Sequence, residues 1–85
     1  MWVQQREYKT VGAALAEARE QAGLTQQQLA KLLRKPQSFV SNYERGQRRV
    51  DILELLRIID ALDGDPIEVL RAIIERRTGG RPLGR

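Results

Sequence analysis

The chain contains neither cysteine nor histidine. That removes disulfides, thiolate nucleophiles, imidazole bases and every zinc site built on nitrogen or sulfur ligands. Nor is there a run of 18 or so apolar residues, or a basic-flanked apolar segment with a small-residue cleavage site near the start. A membrane span is therefore not expected, and a cytoplasmic location is. Aromatic residues are scarce, with one Trp, two Tyr and one Phe. Eighty-five residues make about one small domain, near the size at which one apolar core becomes marginally sufficient. A large cleft with a lid is not expected in it, and the carboxylates are scattered. The expectation is a protein that is not an enzyme and needs no cofactor or metal.

What is present is charge, unevenly distributed. The net charge is +4, yet residues 25–50 carry +5 and residues 51–76 carry −4. Opposite charges on two solvated faces are the ordinary reading of such a pattern. A basic block that coincides with an unusual helix points instead to a polyanion partner.

Five helices have readable ends. Thr10 is placed to cap a helix over about 11–22, in which Val11, Ala14, Leu15, Ala18 and Ala22 recur near helical spacing before Gly23. Thr25 with Gln28 fits a capping box for a helix over about 26–33, with Leu29, Leu32 and Leu33 as its buried stripe. Pro36 suits the first turn of a third helix, over about 36–45, that Gly46 ends. Asp51 and Glu54 start a fourth helix whose apolar residues cover most of its circumference, which predicts a central position. Asp65 and Pro66 start a fifth over about 66–77, with Val69, Leu70 and Ile73 directed to the core. No segment alternates with period two, so the expected fold is all-α, a compact five-helix bundle. The expected division is an N-terminal extension at 1–9, a domain at 10–77 and a flexible C-terminal tail at 78–85.

The third helix is the unusual one. At about 100° per residue, Val40, Tyr43 and Phe39 gather on one side, while Gln37, Ser38, Ser41, Asn42 and Arg45 form a continuous polar arc. An idle exposed face favours Glu, Lys and Ala, whereas Ser and Asn lower helix stability. Short side chains carrying donors and acceptors let a helix lie close to base edges, and Gln and Asn can bind adenine through two bonds. Taken alone, the arc is balanced between a readout surface and an ordinary polar face.

The blocks AEAREQAGLTQ, LTQQQLAKLL, PQSFVSNYERG and DILELLRIIDALDGDP, with the spacing between them, tip that balance. Over about residues 11–74 the chain resembles the Cro and phage-repressor type of helix-turn-helix DNA-binding domain, the xenobiotic-response-element family. The resemblance implies a lambda-repressor-like fold in which helices 2 and 3 are the helix-turn-helix. Gln37, Ser38, Ser41 and Asn42 then take base-reading positions in the major groove of double-stranded DNA. Gln26 and Gln27 touch phosphate at the start of helix 2, and Lys35, Arg45, Arg48 and Arg49 are further phosphate contacts. Arg19 and Glu44 form a structural ion pair between helices 1 and 3. The family commonly has Gly where this chain has Arg34, a departure that puts the angle of helix 3 in question. Phe39 is given a mixed role between core flank and apolar contact to DNA.

One such domain reads few base pairs, so a homodimer on an inverted-repeat operator is expected. Ile67 and Ile74 on helix 5 are possible dimer contacts, with Leu83 a further apolar residue to place. Trp2 and Tyr8 are left between packing on the domain and packing on a partner. Small-molecule regulation is not expected within this chain, although a protein co-regulator is possible. The leading function is a transcriptional regulator, most simply a repressor. The alternative is a protein-interaction adaptor or coactivator, or an antitoxin, built on the same fold.

Overall fold

A computed structural model describes residues 5–78. It contains α1 (Gln5–Gln21), α2 (Gln26–Leu33), α3 (Gln37–Glu44), α4 (Ile52–Ala61) and α5 (Pro66–Thr78), with no strand among the described residues. The fold is all-α, as expected. Trp2, Leu83 and the tail from residue 79 onward lie outside the described residues.

Local chemistry accounts for most helix ends. At α2 the Gln28 backbone N–H donates to Thr25 Oγ1 at 3.1 Å, and the Thr25 N–H donates to Gln28 Oε1 at 2.8 Å. Asp51 and Glu54 make the same reciprocal pair at α4, at 2.8 and 3.1 Å. Each box satisfies two backbone donors that the first turn leaves without helical partners. Pro36 lies one residue outside the position expected: with ψ 155 it is the N-cap of α3, and the helix proper starts at Gln37.

Thr10 does not cap α1. The helix begins at Gln5, and the Thr10 hydroxyl donates instead to the Arg6 carbonyl at 3.0 Å, one turn back within it. Residues 5–9 therefore belong to α1 and not to an extension. A Thr inside a helix can satisfy its own hydroxyl this way, so its presence does not mark a boundary.

The core joins all five helices through Leu15, Leu29, Val40, Tyr43, Ile58, Ile59, Val69 and Ile73. α1 packs against α3 and α5, and α2 lies against α3 and α4. Gly12 permits the closest of these approaches. A Cβ there would meet the Tyr43 carbonyl oxygen at 2.2 Å and that of Glu44 at 2.5 Å, so α1 crosses directly over the end of α3.

Two apolar expectations fail at the surface. Leu32 is exposed rather than part of the buried stripe, and Ala30 takes the inward position beside Leu29. α4 is not surrounded by core: Ile58 and Ile59 are buried, while Ile52 and Leu53 are each more than 60% exposed and Leu56 is also open. On α5, Leu70 is exposed together with Ile67, whereas Val69 and Ile73 are buried and Ile74 is half-buried. These helices bury one stripe and leave a second apolar stripe outward.

Candidate nucleic-acid interface

α2 and α3 pack against each other across the short turn at Arg34, Lys35 and Pro36. Arg34 is left-handed, at φ 58 and ψ 43. The Lys35 N–H reaches back to the Ala30 carbonyl at 3.0 Å, closing α2. This geometry normally favours glycine, because a Cβ is strained there. Arg34 therefore adopts the left-handed conformation and carries its strain.

Arg19 and Glu44 fix α3 from behind. The Arg19 Nε donates to Glu44 Oε2 at 2.7 Å and Nη2 to Oε1 at 3.1 Å, with the side chains 11% and 6% exposed. Nη1 donates to the Leu24 carbonyl at 2.8 Å. Two parallel bonds from a planar guanidinium define orientation as well as distance. Hydrogen bonding to Glu44 outweighs desolvation and raises the Arg19 pKa further above its ordinary value.

The second oxygen of this carboxylate leads outward. Gln26 Nε2 donates to Glu44 Oε1 at 2.9 Å, and Gln37 Nε2 donates to Gln26 Oε1 at 3.4 Å. Gln26 and Gln37, at the starts of α2 and α3, are thus aligned by one chain of bonds that begins at a buried ion pair. Gln37 retains its own amide oxygen, and Gln27 is exposed beside it.

The outer side of α3 carries the predicted arc. Gln37 and Ser38 are exposed, and Ser41 and Asn42 are half-exposed. Arg45 Nη2 donates to Asn42 Oδ1 at 3.1 Å and to Gln47 Oε1 at 3.4 Å, which fixes the carbonyl end of the Asn42 amide. The NH2 end is then available as a donor.

Phe39 stands at the arc's flank between two cations. The Lys35 Nζ lies 5.4 Å and the Arg48 Cζ 4.5 Å from its ring centroid, and Tyr43 meets it edge-on at 5.6 Å. Both contacts fall within cation–π range. Its role in this structure is to hold cations at the edge of the surface.

Arg48 is not a free surface cation. Its Nη1 and Nη2 donate to Glu54 Oε1 and Oε2 at 3.0 and 2.7 Å, and Nη1 also donates to the Arg49 carbonyl at 2.7 Å. Glu54 is therefore both the capping-box carboxylate of α4 and the partner of Arg48. Arg48 is the main cause that lowers the Glu54 carboxyl from 4.5 to about 2, followed by the Asp51 backbone N–H. The Arg49 guanidinium has no hydrogen bond or ion pair among the described residues. Sequence reasoning missed Glu54 as a partner, since its capping role already explained it.

The geometry can be set beside known proteins. The family described as Helix-turn-helix matches residues 15–69, spanning all of α2, α3 and α4. The chain belongs to the helix-turn-helix family of Cro/C1-type transcriptional regulators. A protein of Thermococcus kodakarensis described as an HTH-type transcriptional regulatory protein is 35% identical over 74 residues, 84% of this chain. The chain spans only 23% of that relative's length. The restriction-modification controller protein C.AhdI from Aeromonas hydrophila is 38% identical, with a TM-score of 0.69 over 75% of this helix-turn-helix chain and 97% of that one. An XRE-family like protein from Pseudomonas syringae is also 38% identical, with a TM-score of 0.71 over 81% and 84% of the two chains. Among the described residues of this family member, no helix is long and apolar enough to cross a membrane.

Proposed function

We propose that this regulator binds double-stranded DNA sequence-specifically as a homodimer and acts as a repressor. In this reading α3 lies in the major groove, with Gln37, Ser38, Ser41 and Asn42 at base edges. The observation that carries it is the outer side of α3: short donor and acceptor side chains, oriented by Gln26 and Arg45, with no apolar residue among them. In the same reading Gln26, Gln27, Lys35, Arg45 and Arg49 are the groups that contact the DNA backbone. Arg48 acts there chiefly by holding the loop through Glu54, and contributes its positive field to the same edge.

Dimerisation follows from the information a site must contain. Each correct base pair adds roughly 1–3 kcal/mol of discrimination against about 10⁶ or more competing sites. Two copies related by a two-fold axis read half-sites about 34 Å apart. The outward stripes of α4 and α5 support the choice of surface, since Ile52, Leu53, Leu56, Ile67 and Leu70 are exposed away from the core. This widens the contact expected from Ile67 and Ile74. The same exposed residues are what favour the second reading, in which they dock a protein co-regulator.

Selection from random duplex DNA tests the reading. An enriched inverted repeat with half-sites one helical turn apart is the expected result. Failure to enrich any motif would refute base reading and favour the adaptor function.

A further inference from the structure

Beside the outer arc, α2 and the start of α3 border a hollow of about 550 Å³. Gln27, Gln28, Ala30 and Lys31 line it from α2, Lys35 from the turn and Gln37 from α3. Lys31 follows Gln28 by three residues and Gln27 by four, the spacing that gathers side chains on one side of a helix. Ala30 is buried, and the other five residues are exposed.

The lining offers donors and positive charge. Gln28 Oε1 accepts from the Thr25 N–H at 2.8 Å, so the NH2 is the free end of its amide. Lys31 has no hydrogen bond or ion pair among the described residues. The Lys35 Nζ lies 5.4 Å from the Phe39 ring centroid; its charge also reaches Glu54, but both oxygens of that carboxylate are held by Arg48. Among the described residues, no Asp or Glu lines the hollow. Two ammonium groups with amide donors and no carboxylate suit an oxyanion, whose oxygens only accept.

Gln37 belongs both to this hollow and to the outer arc, and that decides which oxyanion fits. Each strand of a duplex carries a phosphate about every 3.4 Å, so DNA that brings base edges to Gln37 brings its backbone to the hollow beside it. We propose that the hollow seats a backbone phosphate of the bound duplex, with Lys31 as its principal cation and the Gln28 amide as a further donor beside Gln27 and Lys35. The inference rests on the DNA-binding reading and adds Lys31 and Gln28 to its contacts. It also brackets α3, since Lys31 and Lys35 hold the backbone at the start of the helix and Arg45 and Arg49 beyond its end. Tethering at both ends restricts the tilt of the helix over the base edges. A cation in the last turn of α2 also complements the helix dipole, a role that needs no ligand, and inorganic phosphate shares the chemistry of the backbone without the duplex.

Fluorescence anisotropy of the full chain with a short duplex of arbitrary sequence, across a chloride series, separates these roles, because phosphate contacts do not depend on sequence. Lys31→Gln removes the charge while keeping a long side chain of similar helix propensity. It should reduce the slope of log affinity against log salt by about 0.9 per bound copy, and Lys31→Arg should restore the slope. Acylation by sulfo-NHS acetate, read by mass spectrometry, reports contact directly: the lysines of the chain are Lys9, Lys31 and Lys35, and the duplex should protect Lys31. Inorganic phosphate at matched ionic strength should displace the duplex no better than chloride. An unchanged slope in Lys31→Gln, a Lys31 equally reactive with and without the duplex, or stronger displacement by phosphate than by chloride would overturn the proposal and leave the DNA-binding reading standing. A parent chain that binds no duplex at low salt would overturn both.

Discussion

Replacing Arg34 by glycine is expected to stabilise the protein. Four helices end through a left-handed residue: Gly23 after α1, Arg34 after α2, Gly46 after α3 and Asp63 after α4, at φ 78, 58, 76 and 55. Asp tolerates this region through its short polar side chain, whereas a long side chain does not, and the left-handed conformation costs an L-residue about 1–2 kcal/mol. Glycine avoids that strain but loses about 0.4–1 kcal/mol through its greater freedom in the unfolded chain. The Arg34 side chain is exposed and has no hydrogen bond or ion pair among the described residues, so its removal breaks nothing. The net expectation for Arg34→Gly is about 0.5–1 kcal/mol of added stability, or roughly 2–8 °C in Tm for a domain of this size. Arg34→Ala is the control, because it removes the same charge and keeps the Cβ; its stability should stay near that of the parent. Urea denaturation followed by far-UV circular dichroism gives both values. A glycine variant no more stable than the alanine variant would refute the strain argument.

Arg19→Ala and Glu44→Ala should each cost about 3 kcal/mol or more, and the double variant clearly less than their sum, because each single change strands a buried charge. Chemical denaturation of all three checks this, and additivity would contradict the coupling. Gly12→Ala should cost about 3 kcal/mol or more by forcing α1 off the Tyr43 and Glu44 carbonyls, as overpacking does; an unchanged denaturation midpoint would contradict the close crossing. Because Glu54 has a folded-state pKa depressed from 4.5 to about 2, its contribution is fully present above about pH 4.5 and is lost as pH falls toward 2. Stability measured across that window should fall less steeply in Glu54→Gln, whose side chain does not titrate. Arg49→Ala should weaken binding to all duplexes alike and reduce the slope of log affinity against log salt by about 0.9, which filter binding across a salt series measures.

The capping boxes at Thr25 and Asp51 were legible because donor, acceptor and spacing all lie within four consecutive residues. The arc of α3 was legible for a related reason: periodicity alone separates Val40 and Tyr43 from Gln37, Ser41 and Asn42. The start of α1 was not, since Gln5 to Lys9 contain no residue that forbids a helix and Thr10 satisfies itself inside one. The burial of α4 was overestimated because a sequence shows which residues are apolar without showing which stripe its own chain covers. Gly12 reads as a weak point of a helix until α3 is brought against it. Arg48 reads as a loose cation until the loop turns back to Glu54.

The central claim is that the outer side of α3 reads base edges, and the motif itself is the measurement that tests it. Selection from random duplex DNA should be run in parallel with the parent chain and Gln37→Ala. Since Gln37 projects from the start of α3 and is aligned by Gln26, the parent should enrich an inverted repeat, and the variant should lose preference at one position in each half-site while keeping the rest. An identical motif from both proteins, with only a uniform drop in affinity, would show that Gln37 positions the protein on the backbone and would contradict the base-reading assignment.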